Sequence, residues 1–181
     1  MYFLLNSLPE SKFRLIIMPR KTAHLKIIIL GIGNLLLSDE GMGVHFVQML
    51  DKDELGYSNL EIVDGGICAE FISYIEDGCK LIVIDAIKGG GKPGTVYCLS
   101  IDDIMTQSTS FPPSHEMGVI DSLKILKSIG IEPVETVIIG IEPKNLEPGL
   151  KLSPEVAERF GELHELIIEE INKVRSLLVS I

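Results

Sequence analysis

Residues 25–33 read LKIIILGIG, and this stretch decides the fold. Apolar and β-branched side chains follow one another without polar alternation and then stop at glycine. A half-exposed strand alternates, whereas an unbroken run belongs to a parallel strand covered on both faces. The pattern recurs at residues 60–63 (LEIV), closed by Asp64-Gly65-Gly66, at 81–84 (LIVI), ending at Asp85, and at 136–141 (TVIIGI). Segments with helical spacing lie between these strands. They are 41–50 with Val44, Val47 and Leu50, 70–75 with Gly78 as its stop, and 116–129 with Val119, Ile120, Leu123 and Leu126 on one face before Gly130. Residues 95–99 (TVYCL) form a strand of mixed polarity after a flexible Gly-rich turn at 89–94. Ser153 and Pro154 make an N-cap and first-turn pair for a long closing helix. Its Val156, Phe160, Leu163, Ile167, Ile171, Val174 and Leu178 recur at steps of three and four. Strands alternating with helices predict an α/β fold, a three-layer α/β/α sandwich around a mostly parallel sheet.

The chain of 181 residues suits one domain with a sizeable core. Sixteen Lys and Arg against 26 Asp and Glu give a net charge of −10, which excludes the basic footprint of a nucleic-acid binder. Hydrophobic residues make up 46% and the mean hydropathy is +0.33, values that fit a sheet buried on both faces. No apolar run approaches the roughly 20 residues of a membrane span. Cys68, Cys79 and Cys98 are odd in number and far apart. They form no metal or disulfide framework, read as packing residues, and predict a reducing, cytoplasmic setting. Residues 1–24 have the wrong charge order for a secretory signal and read as a poorly ordered N-terminal extension, with Met18 a candidate start. The domain proper is expected over 25–181.

In open sheets of this kind, ligands bind beyond the carboxyl ends of the strands. Three places there carry candidate chemistry. The first is Gly31-Ile-Gly-Asn-Leu-Leu-Leu-Ser-Asp-Glu-Gly-Met-Gly43. It resembles a dinucleotide loop only superficially, because a GxGxxG spacing requires glycine where Leu36 stands. Asp39 and Glu40 precede a helix, where acids complement the dipole; one acid suffices for that, and here there are two. Asp85 ends an otherwise apolar strand, as a loop-capping carboxylate, a metal ligand or a base would. His115 follows the Pro-stiffened loop 107–114 (QSTSFPPS) and is either a surface residue or the third member of a Glu/Asp/His ligand set. His45 lies about 140° around the helix from Glu40 and reads as a helix residue near the site rather than a ligand. His164 sits at a boundary of the last helix, and His24 belongs to the extension.

Taken in order, these motifs resemble the maturation endopeptidases of nickel–iron hydrogenases. The likeness rests on Gly31-Ile-Gly-Asn34 with Ser38-Asp-Glu-Gly-Met-Gly43, on Ile62-Val-Asp-Gly-Gly66, and on Ile84-Asp-Ala-Ile87. Ser114-His-Glu-Met-Gly118 and Gly140-Ile-Glu-Pro143 with Leu146-Glu-Pro148 complete it, so that it covers roughly residues 25–174. The resemblance implies a five-stranded sheet whose fourth strand is antiparallel, which the short Gly-rich turn before 95–99 suits. It implies an enzyme that removes a short C-terminal peptide from the large-subunit precursor after nickel insertion, with Glu40, Asp85 and His115 as the metal-binding positions. Position 40 holds Glu rather than Asp, which the family accepts, and the extension at 1–24 is not part of its pattern. Nickel would arrive with the precursor, and no nucleotide cofactor, nucleic acid or membrane is expected. Three rival readings share parts of these features: a nickel-dependent chaperone or sensor that docks the precursor without cutting it, a nucleotide-binding α/β protein, and an independent mononuclear zinc hydrolase. The apolar residues Leu35–Leu37 could grip an extended peptide.

Overall fold

The computed structural model describes residues 25–67, 69–101 and 118–179. The expected extension at 1–24, Cys68 and His115 with its loop lie outside the described residues. The elements run β1 (Ile27–Ile32), α1 (Met42–Met49), α2 (Lys52–Leu55), β2 (Leu60–Gly66), β3 (Lys80–Ala86), β4 (Val96–Ser100), α3 (Val119–Ser128), β5 (Glu135–Ile141), α4 (Pro154–Ala157) and α5 (Phe160–Val179). The five strands form one sheet in the order β2-β1-β3-β5-β4. Every pairing is parallel except that of β4 with β5. The fourth strand is thus antiparallel, and it lies on the edge beyond β5 rather than beside β3.

Alternate side chains of the inner strands feed two separate cores, which is why no polar residue interrupts them. Ile27, Ile29, Ile82, Ile84, Ile139 and Ile141 pack on one face against Met42, Phe46 and Val47 of α1 and Leu163, Ile167, Ile171 and Val174 of α5. Phe46 meets Phe160 edge-on at 5.1 Å, joining the two helices of that layer. Ile28, Leu30, Leu81, Val83 and Ile138 pack on the other face against Val119 and Leu126 of α3 and against Ile75 and Cys79. Among the described residues, no helix is long and apolar enough to cross a membrane.

Local structure departs from expectation in instructive ways. The segment expected as a helix at 70–75 is a 3-10 helix, Ala69–Tyr74. The closing helix is divided: α4 ends at Ala157 and α5 starts at Phe160. Cys79 is a packing residue, but Cys98 is exposed on β4. At the amino end of β3, Lys80 is wholly buried and bonded to Glu170 of α5 at 2.6 Å and Glu135 of β5 at 3.0 Å. Glu170 also pairs with Lys173. A charge so buried is tolerated only when paired.

The chain leaves β1 toward β2 on one side, while β3 lies on the other, so the carboxyl ends of β1 and β3 flank a topological switch point. Helix α1 seats directly on it. A Cβ at Gly43 would come within 2.2 Å of the Ile84 carbonyl oxygen and 2.3 Å of that of Ile32. A Cβ at Gly31 would stand 2.3 Å from the Gly43 oxygen. Gly43→Ala is therefore expected to lift α1 off the sheet and destabilise the fold by about 2 kcal/mol, measurable as a lower urea midpoint.

Candidate functional site

Two carboxylates are built into the switch point. Glu40 lies in the 3-10 turn Ser38–Gly41 between β1 and α1. Its backbone rests on Gly33, where φ is +141° and a Cβ would meet the Glu40 carbonyl oxygen at 1.9 Å. Only glycine permits that approach. Asp85 is the penultimate residue of β3, opposite Gly140 of β5. Its Oδ1 accepts the Ala86 backbone N–H at 2.7 Å. Burial pushes the Asp85 carboxyl up to about 7; the Ala86 N–H opposes this and the charge of Glu40 adds to it. The fold thus brings Glu40 within electrostatic reach of Asp85.

Asp39 takes a different part from its neighbour. It caps no helix: α1 has no side-chain cap. Instead it is fully buried, and its Oδ2 accepts the backbone N–H groups of Lys144 and Asn145, each at 2.9 Å, and the Ser153 hydroxyl at 2.9 Å. Its Oδ1 accepts the Ser153 backbone N–H at 2.6 Å. Burial alone would raise this carboxyl, but the backbone and hydroxyl donors prevail and hold it below its usual range. The clamp joins the loop carrying Glu40 to the loop following β5. Ser153 is the N-cap residue of α4, with Pro154 in the first turn as expected, but its side chain accepts no helix N–H; its hydroxyl donates to Asp39.

A third strand-end acid organises the loop beyond Asp85. Glu142 is buried after β5, and its Oε2 accepts the Tyr97 hydroxyl at 2.6 Å and the Gly89 and Gly91 N–H groups at 2.8 and 3.1 Å. The Gly-rich turn expected to be flexible is therefore tied down at its first half. Beside it opens a cleft of about 560 Å³, rimmed by Lys88, Lys144 and Leu146. Glu142 appeared in the sequence only as part of a motif; its position at a strand end was the available signal.

Among the described residues, no three His, Cys, Asp or Glu side chains are grouped closely enough to hold a metal ion. Glu40 and Asp85 provide two carboxylates, and His115 falls outside that set. His45 is on α1, and its Nε2 is buried without a hydrogen-bond partner among the described residues.

The chain and its fold have known relatives. A model of the hydrogenase maturation protease family matches residues 44–170, most of the chain. The chain belongs to the hydrogenase maturation protease family. The hydrogenase 2 maturation protease of Escherichia coli is 33% identical over 134 residues, 73% of this chain and 82% of that protein. The hydrogenase expression/formation protein HupD of Rhodobacter capsulatus is 31% identical over 154 residues, 83% and 72% of the two chains. The solved structure of the E. coli hydrogenase maturating endopeptidase HybD superposes with a TM-score of 0.69 at 28% identity, covering 82% of this chain and 93% of that one. For the HybD protease of Thermococcus kodakarensis the TM-score is 0.64 at 27% identity, covering 83% and 99%. This maturation protease is accordingly a hydrolase, an endopeptidase, which sets aside the reading as a non-cleaving chaperone.

Two measurements test the roles given to the acids. Asp39→Asn places an amide among donors and is expected to cost about 2–4 kcal/mol at neutral pH. Because the folded carboxyl lies below its ordinary 3.8, the clamp contributes above that pH and is lost in acid. The variant's deficit in denaturant unfolding should therefore shrink as the pH falls below 3.8. Asp85 has the opposite sign. It ionises above 3.8 in the unfolded chain but only above about 7 when folded, so its contribution to stability falls as the pH rises between them. Asp85 keeps a partly open edge, so Asp85→Asn is expected to gain only about 2 kcal/mol between about pH 4 and pH 8. Thermal unfolding at both ends of that range reads the difference.

Proposed function

We propose that this protease removes a short C-terminal peptide from the nickel-loaded precursor of a nickel–iron hydrogenase large subunit. Glu40, Asp85 and His115 recognise the nickel that the precursor carries. The observation that carries this reading is the pair of carboxylates, Glu40 and Asp85, that the fold brings to the switch point. Burial and the nearby charge of Glu40 make Asp85 hold its proton to about neutrality, and no cation among its described partners favours its ionised form. A divalent metal entering beside Glu40 and Asp85 would displace the proton that Asp85 otherwise holds and offset the resulting pair of negative charges. One imidazole and two carboxylates leave coordination positions open for ligands supplied by the precursor.

Cleavage is a hydrolysis. Water adds across one amide, leaving a new carboxylate on the large subunit and a free amine on the released peptide. The contribution of this chain is positional: Gly33 and Asp39 fix the Glu40 loop, and β3 fixes Asp85. Nickel held between precursor and protease aligns the bond to be cut, so an unloaded precursor is spared. The nickel is thus cargo brought by the substrate. The partner is the precursor itself, and the reaction belongs in the cytoplasm, before the large subunit is complete.

Intact-mass analysis of a loaded precursor before and after incubation with the protease tests the reading, with a nickel-free precursor alongside. Loss of one discrete C-terminal peptide from the loaded sample alone is the expected result. Equal loss from the nickel-free sample would remove the metal gate, and loss from neither would overturn the function. Asp85→Ala and His115→Ala should each slow cleavage of the loaded precursor at least roughly hundredfold; a variant that cleaves normally is not a ligand.

A further inference from the structure

We propose that Leu36 and Leu150 form a single apolar docking tip, by which the protease seats on the folded body of its metal-bearing precursor. The inference rests on the function proposed above and adds a contact surface to it. Leu36 is 65% exposed and Leu150 67% exposed, although both are large aliphatic residues. They come from loops far apart in sequence that are knitted together at this point. The Gly149 N–H donates to the Leu36 carbonyl and the Ser38 N–H to the Gly149 carbonyl, each at 2.9 Å. Leu37 and Gly149 form an isolated parallel bridge. A Cβ at Gly149 would stand 2.5 Å from the Ser38 side-chain oxygen, so the Ser38 side chain packs directly over Gly149.

Rigidity distinguishes this tip from an ordinary pair of surface leucines. Both loops are anchored by the buried Asp39, through Lys144, Asn145 and Ser153 on one side and its own backbone on the other. The Ser38 hydroxyl adds a bond to the Glu147 carbonyl at 2.9 Å. A contact element held in place before binding loses little entropy on association. Its shape points to the class of partner. Small ligands are taken up in concave pockets, whereas exposed leucines on two loop crests fit a recess in another protein.

Position identifies which protein. Glu40 lies four residues beyond Leu36 on the same clamped loop. A protein that delivers a metal to Glu40 and Asp85 must cover this loop, so the tip is continuous with the surface the precursor has to touch. Exposed Glu147 and Lys151 flank Leu150 and supply the polar rim usual around an apolar contact.

The test is cleavage of nickel-loaded precursor as a function of its concentration, using the Leu36→Asp/Leu150→Asp double variant. The half-saturating concentration is expected to rise roughly tenfold or more, with a much smaller change in maximal rate. Val134→Asp is the control: it is 63% exposed at the amino end of β5, remote from the site, and should match the wild type. An unchanged unfolding midpoint shows that the double variant is intact. If it does not fold, the single changes Leu36→Ser and Leu150→Ser carry the test, each with a smaller rise. A concentration dependence identical to wild type overturns the docking tip and leaves the proposed function standing. So does a loss confined to maximal rate, or a wild-type dimer that the double variant makes monomeric, which would assign the leucines to self-association. A wild type that leaves the loaded precursor uncut overturns both readings.

Discussion

Helix α1 meets the carboxyl ends of β1 and β3 with nothing between the backbones. At Gly31 and Gly43 there is no room for a methyl group, and the carbonyl oxygens of Ile32 and Ile84 stand where one would lie. Everything at the functional end follows from this contact. It sets the start of α1 against the switch point and so limits where the chain from Gly33 to Gly41 can run. It also keeps Glu40 in the same neighbourhood as the end of β3. A wider helix–sheet separation would still bury the apolar face of α1, but the two carboxylates would no longer sense each other.

Three acids at this end of the sheet illustrate how surroundings divide one chemistry into separate tasks. Asp39 is wholly enclosed, yet four neutral donors favour its charged form. Asp85 is less enclosed and has one backbone donor of its own, so burial and the charge of Glu40 prevail and the proton is retained to about neutrality. Glu142 spends one oxygen on Tyr97 and two glycine N–H groups and thereby shapes a turn. The count of hydrogen-bond donors, more than depth of burial, separates the residue that braces from the residue suited to meet a cation.

Much of this was legible in the chain. The runs at β1, β3 and β5 announced a doubly covered sheet because both faces of those strands are buried, and the strand ends led to Glu40 and Asp85. Interactions spanning a hundred residues were not legible. In sequence Asp39 points to its nearest helix, since local pattern cannot reveal that its partners sit after β5. Ser153 is the N-cap residue of α4 with Pro154 in its first turn, as the local pattern says, but that pattern does not show its hydroxyl bonding Asp39, and Lys80 gives no sign of burial because Glu170 is 90 positions away. Cys98 reads as a packing residue in sequence because mixed polarity in an edge strand does not say which side faces solvent, and it is exposed. The 3-10 form of Ala69–Tyr74 and the break before Phe160 reflect fit to neighbouring elements, which spacing alone does not encode.

The distance in sequence between Asp39 and its partners has a consequence for biogenesis. The donors that hold it come 105 to 114 residues later. During synthesis the loop bearing Glu40 emerges early, but its brace is completed only when Ser153 has left the ribosome and joined it. Closure over so long a span is slow compared with local helix formation. A nascent or truncated chain that lacks Ser153 therefore lacks part of the brace that holds the Glu40 loop, even when several strands and α1 are in place.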